Sequence, residues 1–88
     1  MKIKYELVRR RIAGETFLVP IGQGAKKFNG MFALNELGDF LWEHIPGAEN
    51  PEALVDLVLA EYDVTREQAT ADTMEFLQKL IDMDILEA

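Results

Sequence analysis

The chain has 88 residues, of which 49% are apolar and 28% are charged, and this is enough for one soluble domain with a single core. Cysteine and serine are both absent, which excludes disulfides, thiolate metal sites and the commonest nucleophiles. No apolar run approaches the roughly 18 residues that span a bilayer, and residues 1–6 lack the apolar block of a signal peptide. We therefore expect a cytosolic protein, one domain over residues 1–88, with no membrane partner.

The net charge of −7 is unevenly distributed along the chain. Residues 1–47 carry seven basic and five acidic side chains, whereas residues 48–88 carry two basic and eleven acidic ones. Binding to a phosphate backbone depends on neutralising phosphates with lysine and arginine, and an acidic second half opposes it. We therefore expect no nucleic acid partner.

The first part of the chain predicts a β-hairpin. Residues 3–12 and residues 16–21 are rich in β-branched and aromatic side chains, and residues 13–15 form a turn between them. Pro20 cannot donate to a β-ladder, so it belongs at the edge or the end of its strand. A loop is expected at residues 22–24. Asn29-Gly30 then predicts a tight type I′ turn that pairs residues 26–28 with residues 31–34.

Three helices are predicted in the second part. The first spans residues 36–45, with Asn35 as its N-cap and a proline directly after it. The second begins after Asn50, another N-cap, and ends near residue 62; the third opens with a capping box at residues 65–68 and ends near residue 83. Strands followed by helices predict an α+β domain with the helices packed on one face of the sheet.

Residues that could carry catalysis or bind a metal are few. His44, the one histidine, falls in the last turn of the first helix, where the helix dipole favours a cation and a structural role is expected. The carboxylates fall on the solvated faces of the helices, and no two of them are required to converge as an acid and a base. The sequence therefore predicts no catalytic residue, no metal site and no cofactor.

Three other features have alternative interpretations. The run Arg9-Arg10-Arg11 is better explained by a solvated strand edge than by a binding site. Trp42 either covers the rim of the core or belongs to a contact surface. Gly38 costs roughly 1 kcal/mol against alanine inside a helix, which indicates close approach by another backbone.

The order of these elements resembles the PqqD-like family. The most specific part is residues 34–43 (LNELGDFLWE), where a strand ends in Leu-Asn and leads directly into a helix with an internal glycine and a Leu-Trp-Glu sequence. The match continues through most of the chain, and Asp84 stands where the family usually has glycine; aspartate tolerates the left-handed conformation better than most residues. The other matching segments are residues 17–20 (FLVP), 54–57 (LVDL), 62–64 (YDV), 72–80 (DTMEFLQKL) and 85–86 (IL).

This family consists of small peptide-binding domains, also called RiPP recognition elements, that serve as precursor-peptide chaperones. The resemblance implies a winged-helix-like domain with three N-terminal strands followed by three helices, without catalytic activity or a cofactor. It also implies that the leader segment of a ribosomally made precursor peptide pairs as an added strand beside the third strand, against the third helix. A peptide-modifying enzyme, such as a radical SAM enzyme, is the implied second partner. The implied peptide-binding positions are Met31, Phe32, Ala33 and Leu34 in the strand, and Thr73, Met74, Leu77 and Ile81 in the helix.

Plain core packing is the competing interpretation for each of these apolar residues. It is favoured for Leu34 and Leu77, and the two interpretations are balanced for Met31 and Met74. Two other functions also fit a domain of this shape. One is a winged-helix DNA-binding regulator, although the third helix offers only Lys79 where a reader needs several basic or amide side chains. The other is a structural subunit of a larger enzyme.

Overall fold

The computed structural model describes residues 1–87 and confirms the predicted α+β class. A three-stranded antiparallel sheet precedes three main helices, which fits the looser description winged-helix-like. One short helix lies between the second and third strands. The elements are β1 (Leu7–Ile12), β2 (Glu15–Pro20), α1 (Gln23–Lys27), β3 (Phe32–Leu34), α2 (Glu36–His44), a 3₁₀ turn (Ile45–Gly47), α3 (Pro51–Glu61) and α4 (Arg66–Asp82).

The strands β1 and β2 form the predicted hairpin. Ile12 pairs with Glu15, so the turn contains only Ala13 and Gly14. Both turn residues have positive φ, 52° and 83°, which is the conformation of a type I′ turn. Residues 3–6, which were predicted to extend the first strand, do not belong to it. Instead Ile3 forms an isolated bridge with Leu86 and joins the two ends of the chain.

The predicted pairing of residues 26–28 with residues 31–34 is wrong. Residues 26 and 27 end α1, and β3 pairs with β2 in the sheet order β1-β2-β3. Asn29 lacks the positive φ that a type I′ turn needs at its first central position, and only Gly30 has it, at 88°. Phe28 is instead packed edge-on between Tyr5 and Phe32, with ring centroids 5.4 Å and 5.5 Å away.

The predicted caps of the three main helices are present. The side chain of Asn35 accepts from the backbone N–H of Gly38 at 2.7 Å, and Asn50 accepts from that of Ala53 at 2.9 Å. Thr65 caps α4 by accepting from the N–H of Gln68 at 3.1 Å. Each cap satisfies an N–H that has no partner inside its helix, so these local signals define where the helices begin.

The core lies between the inner face of the sheet and the helices. Leu18 of β2 belongs to this core, and so does Ile85, which follows α4. At the end of α4 the chain turns through Asp84, whose φ of 63° confirms the expected left-handed conformation. The carboxylate of Asp84 pairs with Lys4, and this ion pair lowers the pKa of Asp84. The largest fully buried side chains are Leu18, Leu41, Ile45, Leu54, Val58, Thr73 and Ile85.

Candidate functional site

The strand β3 has one open edge. It pairs with β2 through Thr16–Leu34, Phe17–Ala33 and Leu18–Phe32, and no other strand within residues 1–87 pairs with its far side. An open edge presents unpaired N–H and C=O groups to any extended chain that approaches it. This edge is three residues long and carries no charged side chain.

The hairpin turn determines which groups of β3 face the open edge. In a two-residue turn the closing pair, here Ile12 and Glu15, is hydrogen bonded, and bonded and non-bonded pairs then alternate. This alternation directs the backbone groups of Thr16 and Leu18 toward β3. Phe32 and Leu34 therefore bond to β2, and Ala33 directs both its N–H and its C=O outward.

The side chains of β3 point alternately to the inner and the outer face of the sheet. Phe32 and Leu34 are half-buried on the inner face, and Ala33 is exposed on the outer face. Met31, which directly precedes the strand, is 50% exposed. The structure therefore brings all four predicted strand residues to the open edge.

Beyond the end of this edge, at Asn35, a furrow lies between α2 and α4. Phe76 and Leu34 flank the same residue, Gly38, because a Cβ built there would lie 3.1 Å from Cε1 of Phe76 and 3.5 Å from Cδ2 of Leu34. The tightest neighbours of Gly38 are thus two side chains, because Oδ1 of Asn35 also lies 3.1 Å from that Cβ, and the predicted approach by a backbone is wrong. The furrow between α2 and α4 has a volume of about 290 Å³. Its lining comprises Asn35, Leu37, Gly38, Asp72, Glu75, Phe76 and Lys79.

The predicted helix residues lie mainly outside this furrow. Thr73 and Leu77 are fully buried in the core. Met74 is 46% exposed but lines a depression on the opposite side of the helix, with Val55 and Arg66. At about 100° per residue, Met74 and Ile81 point roughly 160° and 140° away from Phe76. The role of these four residues in peptide binding stays a prediction.

The residues of α4 that line the furrow form a stripe with helical spacing. Asp72, Phe76 and Lys79 line the furrow, three to four residues apart. Phe76 is half-buried and packs against the edge of the core. The one sequence signal that identifies it is Gly38, because a glycine inside a helix indicates a bulky neighbour.

One arginine of the run in β1, Arg9, forms ion pairs with a helix. Arg9 donates from Nη1 to Asp39 at 2.7 Å and from Nη2 to Glu43 at 3.4 Å, which ties β1 to α2. The hydrogen bond that Arg9 donates to Asp39 raises the pKa of Arg9. Arg9 therefore belongs to an ion-pair network, and is not simply a solvated member of the Arg9-Arg10-Arg11 run.

The remaining candidates show no sign of metal chemistry. Over residues 1–87, no group of three or more His, Cys, Asp or Glu side chains is placed to hold a metal ion. His44 packs against Phe40, with 4.6 Å between the ring centroids. Trp42 is half-buried and packs against the core, which supports the first of its two interpretations. In the same part of the chain, no helix is long and apolar enough to cross a membrane.

Comparison with known proteins identifies the family. The family model described as coenzyme PQQ synthesis protein D (PqqD) matches residues 15–86. A solved structure described as TbiB1 in complex with the TbiA(beta) leader peptide is 31% identical to this chain, with a TM-score of 0.75 over 100% of this chain and 96% of the other. No curated protein matches the chain. Because the family model covers most of the sequence, the resemblance is confirmed, and the chain belongs to the PqqD family.

Proposed function

We propose that this protein is a non-catalytic adaptor that binds the leader segment of a ribosomally made precursor peptide. The open, uncharged edge of β3 is the observation that carries the proposal. Proteins usually shorten, charge or cover such an edge, because it invites pairing with other chains. Here the edge is short, but it carries no charge, and it borders a furrow that can receive side chains. TbiB1, the similar protein, has been solved with a leader peptide.

The proposed binding mode is strand addition. The peptide's backbone bonds to the outward N–H and C=O of Ala33, which supplies affinity with little dependence on sequence. Alternate peptide side chains then point to opposite faces of the enlarged sheet. Those on the inner side enter the furrow beside Phe76, and they supply the selectivity. Met31 and Leu34 flank the two ends of the paired segment.

The adaptor presents the bound peptide to a second protein. We propose that this partner is a peptide-modifying enzyme, with a radical SAM enzyme as one candidate class. Since the peptide is made by the ribosome, we place the encounter in the cytoplasm. The adaptor's own contribution is to fix part of the peptide in an extended conformation, which reduces the entropy cost of its binding to the enzyme.

The test uses proline to remove one outward donor from each edge of the sheet. Ala33→Pro deletes the N–H at the proposed edge while the bonds of β3 to β2 remain. Arg11→Pro is the matched control, because by the same alternation Arg11 directs its N–H outward from β1. The loss of one hydrogen bond, about 0.5–1.5 kcal/mol, predicts binding that is weaker by roughly two- to tenfold in Ala33→Pro.

Binding is measured by fluorescence anisotropy with labelled leader peptides encoded beside this gene. Circular dichroism establishes that both variants are folded. We expect Ala33→Pro to weaken binding and Arg11→Pro to leave it unchanged. The reverse pattern would place the peptide on β1, and no change in either variant would refute strand addition.

A further inference from the structure

A second depression lies beyond the furrow, at the end of the molecule where α2 starts, α3 ends and α4 starts. It has a volume of about 310 Å³, and most of the surface that lines it is apolar. Val64, one of its lining residues, is 40% exposed, so an apolar side chain that enters the depression can pack against it. The apolar and aromatic residues that line it are Leu37, Val58, Tyr62, Val64 and Ala69.

The depression is continuous with the furrow. Asn35, Leu37 and Asp72 line both. Along α4 the same stripe that begins at Phe76 passes through Asp72 and ends at Ala69, with steps of four and three residues. A chain that leaves the furrow along this stripe therefore enters the depression.

The direction of β3 also points toward this depression. The start of β3 lies near the end of α4, because Phe32 packs on Phe28 and the adjacent Lys27 reaches Asp84 at 3.6 Å. The end of β3 lies near Phe76, two turns earlier in α4. The strand and the helix are therefore antiparallel, and a peptide that continues past the end of β3 follows α4 toward its first turn.

The distance sets the spacing within the peptide. Ala69 precedes Phe76 by seven residues, which is about 10 Å along the helix axis. An extended peptide covers this distance in about three residues. A side chain in the depression would thus belong to a residue about three positions beyond the segment paired with β3.

The charged residues at the rim of the depression favour a particular charge in the adjacent residues of the peptide. The carboxylates of Glu36 and Asp72 border the depression. Burial raises the pKa of Tyr62, and the negative charge of Glu36 adds to the effect. Lys79 is the basic residue of the adjoining furrow, and its Nζ lies 3.6 Å from Oε1 of Glu75, so its charge is paired. A lysine or arginine in the peptide would complement this rim.

The pocket is also preformed. The ring of Tyr62 packs edge-on against Phe40, with 5.4 Å between the centroids and 82° between the planes. Val58 is almost fully buried below it. A rigid wall and floor lower the entropy cost of holding a side chain.

Resting on the proposed function, we propose that this depression is a second subsite for the same linear peptide. It takes one apolar side chain, about three residues beyond the strand-paired segment, with a lysine or arginine next to it. This subsite adds a sequence requirement to a strand pairing that by itself is tolerant of sequence.

The experiment selects binders from a display library of random linear peptides, using the folded domain as the target. One selected peptide is then labelled, and its affinity is measured by fluorescence anisotropy. Val64→Asp places a carboxylate in the mouth of the depression. Leu57→Asp is the matched control, because Leu57 is 38% exposed on α3 and lines none of these depressions. We expect Val64→Asp to weaken binding at least about tenfold, and Leu57→Asp by less than about twofold.

A second pair of variants tests the charge. Asp72→Asn keeps the acceptor that Gln68 uses at 2.8 Å but removes the negative charge, and Glu49→Gln removes one charge from an exposed loop elsewhere. We expect the affinity of a selected peptide to fall only in Asp72→Asn, and to fall more at low salt.

The outcomes separate this inference from the proposed function. Selected peptides that are weakened by Ala33→Pro but bind Val64→Asp as tightly as the unmodified protein would overturn the subsite and leave strand addition intact. Selected peptides without a recurrent apolar residue next to lysine or arginine would also overturn it. A library that yields no binder at all would overturn both proposals.

Discussion

Replacing Gly24 by alanine should destabilise the domain through one close contact. Gly24 is buried in α1, and a Cβ there would lie 2.7 Å from the backbone oxygen of Glu6 and 3.4 Å from Cβ of Pro20. The Glu6 oxygen cannot move freely, since it accepts from the N–H of Ile21 at 3.0 Å. The substitution therefore forces the backbone of α1 or of the N-terminal segment to shift.

The expected magnitude combines two opposing effects. Overpacking of this kind costs about 1–3 kcal/mol. Alanine regains up to about 1 kcal/mol from its better helix propensity. Taking the middle of the overpacking range, about 2 kcal/mol, the net loss is about 1–2 kcal/mol, which corresponds to a fall in Tm of roughly 4–16 °C for a domain of this size.

The assay is thermal and urea unfolding followed by circular dichroism, with Gly47→Ala as the control. No heavy atom lies within 4 Å of a Cβ built at Gly47, and its φ is not positive. Both substitutions restrict the unfolded chain equally, so their difference isolates the contact at Gly24. Equal stability of the two variants would refute the reasoning.

The same substitution should also disturb the candidate site. The carbonyl of Gly24 accepts from the N–H of Phe28 at 2.9 Å, and the ring of Phe28 packs on Phe32 in β3. We therefore expect amide shifts in Gly24→Ala to extend to β3, while those of Gly47→Ala stay local.

Three further results are expected. Ala13→Asn should raise the free energy of unfolding by about 1 kcal/mol, because asparagine tolerates the φ of 52° better than alanine; an unchanged urea midpoint would contradict this. Asp84→Gly relieves a φ of 63° but loses the ion pair with Lys4. Because that pair lowers the pKa of Asp84 below 3.8, its contribution is present above this pH and lost as the pH falls below it, so the variant should gain stability relative to the unmodified protein on acidification. Tm values measured across this range that stay parallel would contradict it. Finally, a gel-shift assay at physiological salt should find no submicromolar binding to duplex DNA, and salt-sensitive binding in that range would revive the regulator hypothesis.

The sequence was informative where a single residue determines a local conformation. Asn35, Asn50 and Thr65 each accept the N–H that starts a helix, so the boundaries of the main helices could be predicted. Helix α1 could not, because its N-cap is Gly22 and its second residue is Gly24, and glycine has poor helix propensity. It forms because Gly24 permits close packing on Glu6 and because Phe28 fits between two aromatic rings.

The candidate site was predictable only in part for a similar reason. The four residues 31–34 were identified correctly as an edge, although their pairing partner was not. On α4 the stripe of Thr73 and Leu77 and the neighbouring stripe of Asp72 and Phe76 are both compatible with a 3.6-residue period. Which stripe faces the core depends on how α2 packs, and in the structure Phe76 lies close to Gly38 of that helix.

The most direct test of the account is an NMR titration of the labelled domain with leader peptides encoded beside this gene. We predict that the amide of Ala33 shifts as it gains a hydrogen bond, and that cross-strand NOEs connect the peptide backbone to residues 31–34. Shifts should extend along α4 through Phe76 and Asp72. Shifts confined to the β1–β2 hairpin, with residues 31–34 and α4 unmoved, would contradict the account.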